Sequence, residues 1–276
     1  MPSDKPIGIF DSGIGGLTIA SSISRLLPDE DLIFFGDTAH LPYGNKSAKA
    51  VKHYSEKITE LLLKRNCKII LIACNTASAV AYQTVQKQFG DDTVIVNVID
   101  PVVDFAINDS DSKVIGIIGT KRTIASRSYP KRIKELAPDK EAKSMATPLL
   151  AQMIEEGFFN NNISKAIIKD YLSRKALEGI DTLILGCTHY PLIKKEIEAY
   201  YKGKVRVLDS TDIVAHEVEK ILKRYDIKNE SAKKAERHFY VSDLTSSFQE
   251  TTKIFFKEEA PLKEFPIWDF DQATFD

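Results

Sequence analysis

Residues 68–76 read KIILIACNT: four large aliphatic side chains and an alanine, then Cys74-Asn75-Thr76. A short, unbroken apolar run closed by small polar residues reads as a strand buried on both faces, the kind used in parallel sheets. The form recurs at residues 182–189, TLILGCTH. Leu71-Ile72-Ala73-Cys74-Asn75-Thr76 aligns with Ile184-Leu185-Gly186-Cys187-Thr188-His189 at an offset of 113 positions. A second pair, Ile7-Gly8-Ile9-Phe10-Asp11-Ser12 and Ile115-Gly116-Ile117-Ile118-Gly119-Thr120, is offset by 108. Two pairs in one order at nearly one offset predict two similar α/β halves, each with an opening strand and a later strand that ends in cysteine.

The neighbouring segments extend this pattern. Leu32–Phe35 ends in Gly36-Asp37, Val94–Ile99 in Asp100-Pro101, and Lys204–Leu208 in Asp209-Ser210-Thr211. Leu17–Leu27 and Ala48–Arg65 have helical periodicity. Strands that alternate with helices make βαβ units and mostly parallel sheets, and such sheets bind ligands in the loops after their strands. Asn108–Lys113 reads as a loop or a crossing between halves. Lys257–Asp276, with Phe265, Trp268, Phe270 and Phe275, is expected to wrap over the outside.

Composition removes several classes. The 276 residues are 43% hydrophobic and 28% charged, as in ordinary globular proteins. Lys plus Arg total 38 against 39 Asp plus Glu, so no basic excess points to nucleic acid or to an anionic membrane. The start, MPSDKPIGIF, lacks the pattern of a secretory signal. The apolar runs fall far below the roughly 20 residues of a membrane span. Three cysteines, none in Cys-x-x-Cys spacing, suggest reduced thiols in the cytoplasm and no metal site.

Cys74 and Cys187 are each expected to open a helix, where backbone N–H donors and the helix dipole lower a thiol pKa from roughly 8.5. Cys67 precedes its strand and reads as structural. One thiol from each of two similar halves suits disulfide exchange, or stereochemical inversion by two opposed bases. In the second case one thiolate takes a proton from carbon and the opposing thiol returns one to the other face. Such a proton is a very weak acid, so the site needs fixed donors and little water.

The other loops are less specific. Asp11-Ser12-Gly13-Ile14-Gly15-Gly16 could cradle an anion, but Thr18 stands where a dinucleotide motif needs Gly or Ala. Asp37 is the one remaining hint of a nucleotide. Gly116–Lys121 is too short for a P-loop. Asp11 reads either as a helix-capping carboxylate or as a partner of a substrate ammonium or thiol. His189, two residues after Cys187, can hold or tune that thiol. His40, His53, His216 and His238 lack such company, and no lysine stands out as a pyridoxal-phosphate imine former.

Together IGIFDSGIGGLT, FFGDTAHLPYGNKS, LIACNTASA, IGIIGTKRTI, ATPLLAQMIEEG and DTLILGCTHYPLI, with a looser HFYVSDLTSSF, resemble the glutamate racemase family of the aspartate/glutamate racemase superfamily. The resemblance implies a cofactor-independent, cytoplasmic enzyme that interconverts L- and D-glutamate for peptidoglycan, often as a homodimer. It implies two α/β domains related by a pseudo-twofold axis, with the active site in the cleft between them. Residues 1–98 plus 208–276 would form the first domain and 99–207 the second. By position, Cys74 resembles the base for D-glutamate and Cys187 the base for L-glutamate, with Asp11 and His189 beside them. Ser12, Tyr43, Gly44, Asn75, Thr76, Thr120 and Thr188 would surround the substrate along with Asp11 and His189. A functional glutamate falls at Glu155 or Glu156, with Glu155 favoured. The competing readings are a racemase of aspartate or a hydantoin, a thiol redox enzyme, and an amino-acid-binding module.

Overall fold

The structure is a computed structural model that describes residues 3–109, 111–231, 233–256 and 260–268, apart from the side chains of Ser247 and Glu250. Its strands are β1 (Ile7–Asp11), β2 (Leu32–Gly36), β3 (Ile69–Ile72), β4 (Val94–Asn97), β5 (Val114–Gly119), β6 (Glu141–Ala146), β7 (Thr182–Gly186), β8 (Arg206–Leu208), β9 (Arg237–Val241) and β10 (Leu262–Glu264). Its helices are α1 (Leu17–Leu26), α2 (Ala48–Lys64), α3 (Asn75–Phe89), α4 (Ile99–Ile107), α5 (Lys121–Ser126), α6 (Ser128–Leu136), α7 (Pro148–Glu155), α8 (Asn162–Leu172), α9 (Lys194–Tyr201), α10 (Thr211–Arg224) and α11 (Ser246–Phe256).

Two sheets result. One runs β10-β9-β2-β1-β3-β4 and the other β6-β5-β7-β8. Every described pairing is parallel. The order β2-β1-β3-β4 is repeated as β6-β5-β7-β8, so the repeat read from the sequence is a repeat of topology. The first sheet adds β9 and β10 from the C-terminal region. Leu208 pairs with Ile184 and so goes with the second sheet.

Alternation along the central strands explains why both faces need apolar residues. Ile69 and Leu71 enter one core while Ile70 and Ile72 enter another. In β7, Leu183 and Leu185 face the first of these cores and Ile184 a third. The first core is continuous across both halves: Ile9, Leu17 and Val214 belong to the same cluster as Leu150, Leu185 and Tyr190. The two sheets are therefore not packed independently of each other.

Several expectations change. The run Val94–Ile99 is not all strand. Asn97 Oδ1 accepts from the N–H groups of Ile99 and Asp100 at 2.8 and 2.9 Å, which ends β4 and starts α4 two residues early. Cys187 does not open an α-helix. A turn and a 3₁₀ segment, Tyr190–Ile193, come between it and α9. The C-terminal segment does more than wrap the surface, since β10 joins the sheet and Phe265 and Ile267 are buried in the second core. Phe270 and Phe275 lie outside the described residues. Asn108–Lys113 links α4 to β5, with Ser110 outside the description.

Candidate active site

In each sheet the two central strands are adjacent, β1 beside β3 and β5 beside β7. Parallel pairing brings the following loops together at one end, so Asp11 and Ser12 meet Cys74, and Thr120 lies near Cys187. Cys74 caps α3, with its Sγ accepting from the Ala77 N–H at 3.4 Å. Its thiol lies 3.6 Å from Ser12 Oγ.

Helix capping does not make Cys74 acidic. Burial, reinforced by the Asp11 carboxyl, pushes its thiol up to about 12 despite the Ala77 donor. The expected lowering is overturned here because desolvation of the thiolate exceeds what the helix N-terminus returns. Cys187 contributes to the same rise, which places the two sulfurs within electrostatic reach of each other.

Asp11 satisfies both of its readings. One carboxyl oxygen accepts from Gly13 and Gly16 N–H at 3.3 and 3.0 Å and so caps the entry to α1. The other, Oδ1, is buried and has no hydrogen-bond partner among the described residues. Burial holds this carboxyl above the usual carboxylate range, although His189 opposes the shift.

Cys187 has a different neighbourhood. Its Sγ lies 3.6 Å from His189 Nδ1, and His189 Nε2 lies 2.9 Å from Glu155 Oε1. Burial works to neutralise His189, but Cys187 and Glu155 outweigh it and hold the imidazole well above its usual pKa. His189 thus sits buried between two groups that favour its protonated form. Glu155 at the end of α7 makes this contact, whereas Glu156 is exposed. The Tyr190 hydroxyl, 2.7 Å from Thr147 Oγ1, fastens the Cys187 loop to the residue that opens α7.

Glycines let the halves meet. A Cβ at Gly15 would lie 2.5 Å from Thr188 Oγ1 and 2.6 Å from the His189 ring. A Cβ at Gly44 would lie 2.6 Å from Thr120 Cβ. These glycines seat second-half loops against the first half. Across the same junction Thr76 Oγ1 lies 2.9 Å from Thr120 and 3.0 Å from Thr123. The Tyr43 hydroxyl donates to Asp37 at 2.6 Å, so only the Tyr43-Gly44 backbone is left to face the junction.

Asp37 is occupied by its own chain. It accepts from Tyr43, from Ser242 Oγ at 2.8 Å and from Trp268 Nε1 at 2.8 Å, with His40 Nδ1 at 3.1 Å. No capacity remains for a ribose hydroxyl, and the nucleotide reading ends. His40 therefore does have company, and it also stacks on Tyr54 with centroids 4.1 Å apart. Sequence reasoning singled out Asp37 as a strand-end acid but missed its partners. It missed Tyr129 entirely, whose hydroxyl donates to Asn75 Oδ1 at 2.5 Å. Among the described residues no cluster of His, Cys, Asp and Glu could hold a metal ion.

Fold and site define a two-lobed α/β protein with paired thiols at matched strand ends. Comparison with known proteins places that class. The family model for Asp/Glu/Hydantoin racemase matches residues 16–218, and the chain belongs to that family. It is similar to the glutamate racemase of Chlorobaculum tepidum, 40% identical over 94% of this chain and 95% of that one. It is also similar to a crystal structure of glutamate racemase from Francisella tularensis in complex with D-glutamate. That match has a TM-score of 0.90 and 34% identity, and covers 97% of this chain and 100% of that one. The glutamate racemase isoform RacE1 of Bacillus anthracis gives a TM-score of 0.90 at 32% identity, over 96% of this chain and 99% of that one.

Proposed function

We propose that this chain interconverts L- and D-glutamate by two-base proton transfer without an organic cofactor, supplying D-glutamate for peptidoglycan. The observation that carries this reading is the pair of buried strand-end thiols, one beside a cation and one beside a carboxyl. Membership in the family and similarity to glutamate racemases support glutamate over aspartate or a hydantoin.

In the L-to-D direction Cys187, as the thiolate paired with His189, takes the α-proton. The C–H electron pair stays on carbon, and the Cys74 thiol then gives its proton to the opposite face. The Cys74 thiolate and Cys187 thiol that result are the starting pair for the reverse direction. Asp11 Oδ1, lacking a partner among the described residues, accepts from the substrate ammonium or holds a proton near Cys74. Ser12, Asn75, Thr76, Thr120 and Thr188, with the Tyr43-Gly44 backbone, supply donors to the carboxylates. Glu155 keeps His189 charged and oriented.

The two units in this reading are residues 1–98 with 208–276 and 99–207, shifted at one position so that Leu208, which pairs with Ile184, goes with the second. The protein acts in the cytoplasm as a homodimer on a small molecule, with no nucleic acid or membrane partner. No helix among the described residues is long and apolar enough to cross a membrane.

The test is circular dichroism of L-glutamate incubated with the purified, reduced protein and no pyridoxal phosphate. Decay to zero rotation is expected, with L-aspartate unchanged over the same period. Turnover of aspartate alone would overturn the substrate. Silence with every acid tried would return weight to the redox and binding readings.

A further inference from the structure

Tyr129 is fully buried at the start of α6, in the second half. Its hydroxyl reaches across to Asn75, the residue after Cys74, at 2.5 Å. Its ring lies against Gly186, the residue before Cys187, where an added Cβ would sit 3.4 Å from Cε2. One side chain thus touches both thiol loops, 54 residues from one and 57 from the other along the chain. Burial, and the charge of Cys187 after it, hold the phenol proton in place, so the hydroxyl is a permanent donor. An amide that offers its oxygen to that donor must turn its nitrogen elsewhere. Asn75 Nδ2 is buried with no hydrogen-bond partner among the described residues.

We propose that Tyr129 is a positioning residue: a strut that fixes the separation of the Cys74 and Cys187 loops and aims the Asn75 NH₂ group into the space between them. The inference rests on the two-base reading and adds what holds the bases in register. A proton-transfer pair is sensitive to sub-ångström changes in spacing, and a phenol ring wedged against backbone is a rigid spacer. Ser128 Oγ also ties α6 to α3, donating to Ala79 O at 2.8 Å, but touches neither loop and serves as a control.

The experiment uses Tyr129→Phe, which keeps the ring and cuts only the hydroxyl. In heavy water, starting from L-glutamate, a well-spaced pair deuterates the D product while recovered L-glutamate stays protiated at early conversion. With the strut cut, the carbanionic intermediate waits longer for its second proton, and the Cys187 thiol exchanges the proton it took for solvent deuterium before returning it to the same face. Recovered L-glutamate then gains deuterium, and the ratio of its deuterium content to that of the product rises several-fold. The same change lowers kcat/KM about tenfold, the scale of one lost buried hydrogen bond. Ser128→Ala leaves the ratio at the wild-type value, as does any merely partial loss of folded enzyme.

The second readout is the Asn75 side-chain amide by ¹⁵N NMR. It is expected as one slowly exchanging pair in the wild type and as averaged or doubled signals in Tyr129→Phe. An unchanged ratio with an unchanged kcat/KM would overturn the strut. If the wild-type protein were silent with glutamate, the substrate reading would fail instead, and the Asn75 signals would still decide whether Tyr129 holds that amide.

Discussion

The Cys74 and Cys187 loops follow equivalent strands of a repeated topology, β3 and β7, yet they surround sulfur with opposite chemistry. Cys74 has a helix N-terminus, a hydroxyl and a buried carboxyl, and its thiol is pushed up to about 12. Cys187 has no α-helix at its back but faces His189, whose protonated form Cys187 and Glu155 together favour. The difference teaches that repeating a backbone does not repeat the electrostatic surroundings of the side chain it carries. Racemisation needs one acid and one base at any instant, and divergent side chains on a common frame provide that asymmetry.

Removing either sulfur breaks the comparison most severely. Cys74→Ala and Cys187→Ala are each expected to lower racemisation by more than about 1,000-fold, as followed by circular dichroism. Each should retain slow α-proton exchange on one enantiomer only, L-glutamate for Cys74→Ala and D-glutamate for Cys187→Ala. Exchange on the opposite enantiomers would reverse the assignment of faces.

His189→Gln comes next, with an expected loss of about 100-fold. The two enantiomers are equal in free energy, so kcat/KM has to fall by the same factor in both directions. The asymmetry should appear instead in the α-deuterium isotope effect, raised for L-glutamate more than for D-glutamate. Equal increases for both would mean that His189 serves the two sulfurs alike.

A smaller effect is expected at Asp37, which ties the Tyr43 loop to β9 and Trp268. Asp37→Asn should cost about 2 kcal/mol in thermal or denaturant unfolding, since buried donors lose their charged acceptor. Trp268 is the only tryptophan, and its fluorescence should report the loss. An unchanged melting curve would contradict the network.

The smallest effect is a slope. The unfolded chain releases the Cys74 proton near the ordinary value of 9.0, whereas the folded chain holds it to about 12. Between those values the folded state binds more protons, so stability is intact below the window and falls as pH rises through it. Cys74→Ala should flatten the fall of melting temperature over that range. Cys67, buried and likewise pushed up to about 12, shares the window and gives a matching control in Cys67→Ala.

Sequence carried much of this picture. Continuous apolar strands announced the parallel sheets, and scarce cysteines at matched strand ends announced the thiol pair. What was not legible depended on residues far apart in the chain. Gly15 against Thr188, Asp37 against Trp268 and Tyr129 against Asn75 become neighbours only when the halves dock. β6, Glu141–Ala146, gave no strand signal because an edge strand paired only with β5 keeps most side chains half exposed. The Cys74 pKa was misread because a helix N-terminus is visible in sequence while the depth of burial is not.

The central claim is that two sulfurs, one taking and one giving a proton in each direction, flank one carbon. Its most direct test follows L-glutamate in heavy water with the reduced wild-type protein, by α-proton NMR and circular dichroism together. The account predicts that optical activity is lost while deuterium appears in D-glutamate well before it appears in the remaining L-glutamate. Deuterium entering L-glutamate as fast as D-glutamate forms would mean a single base serving both faces, and would contradict it.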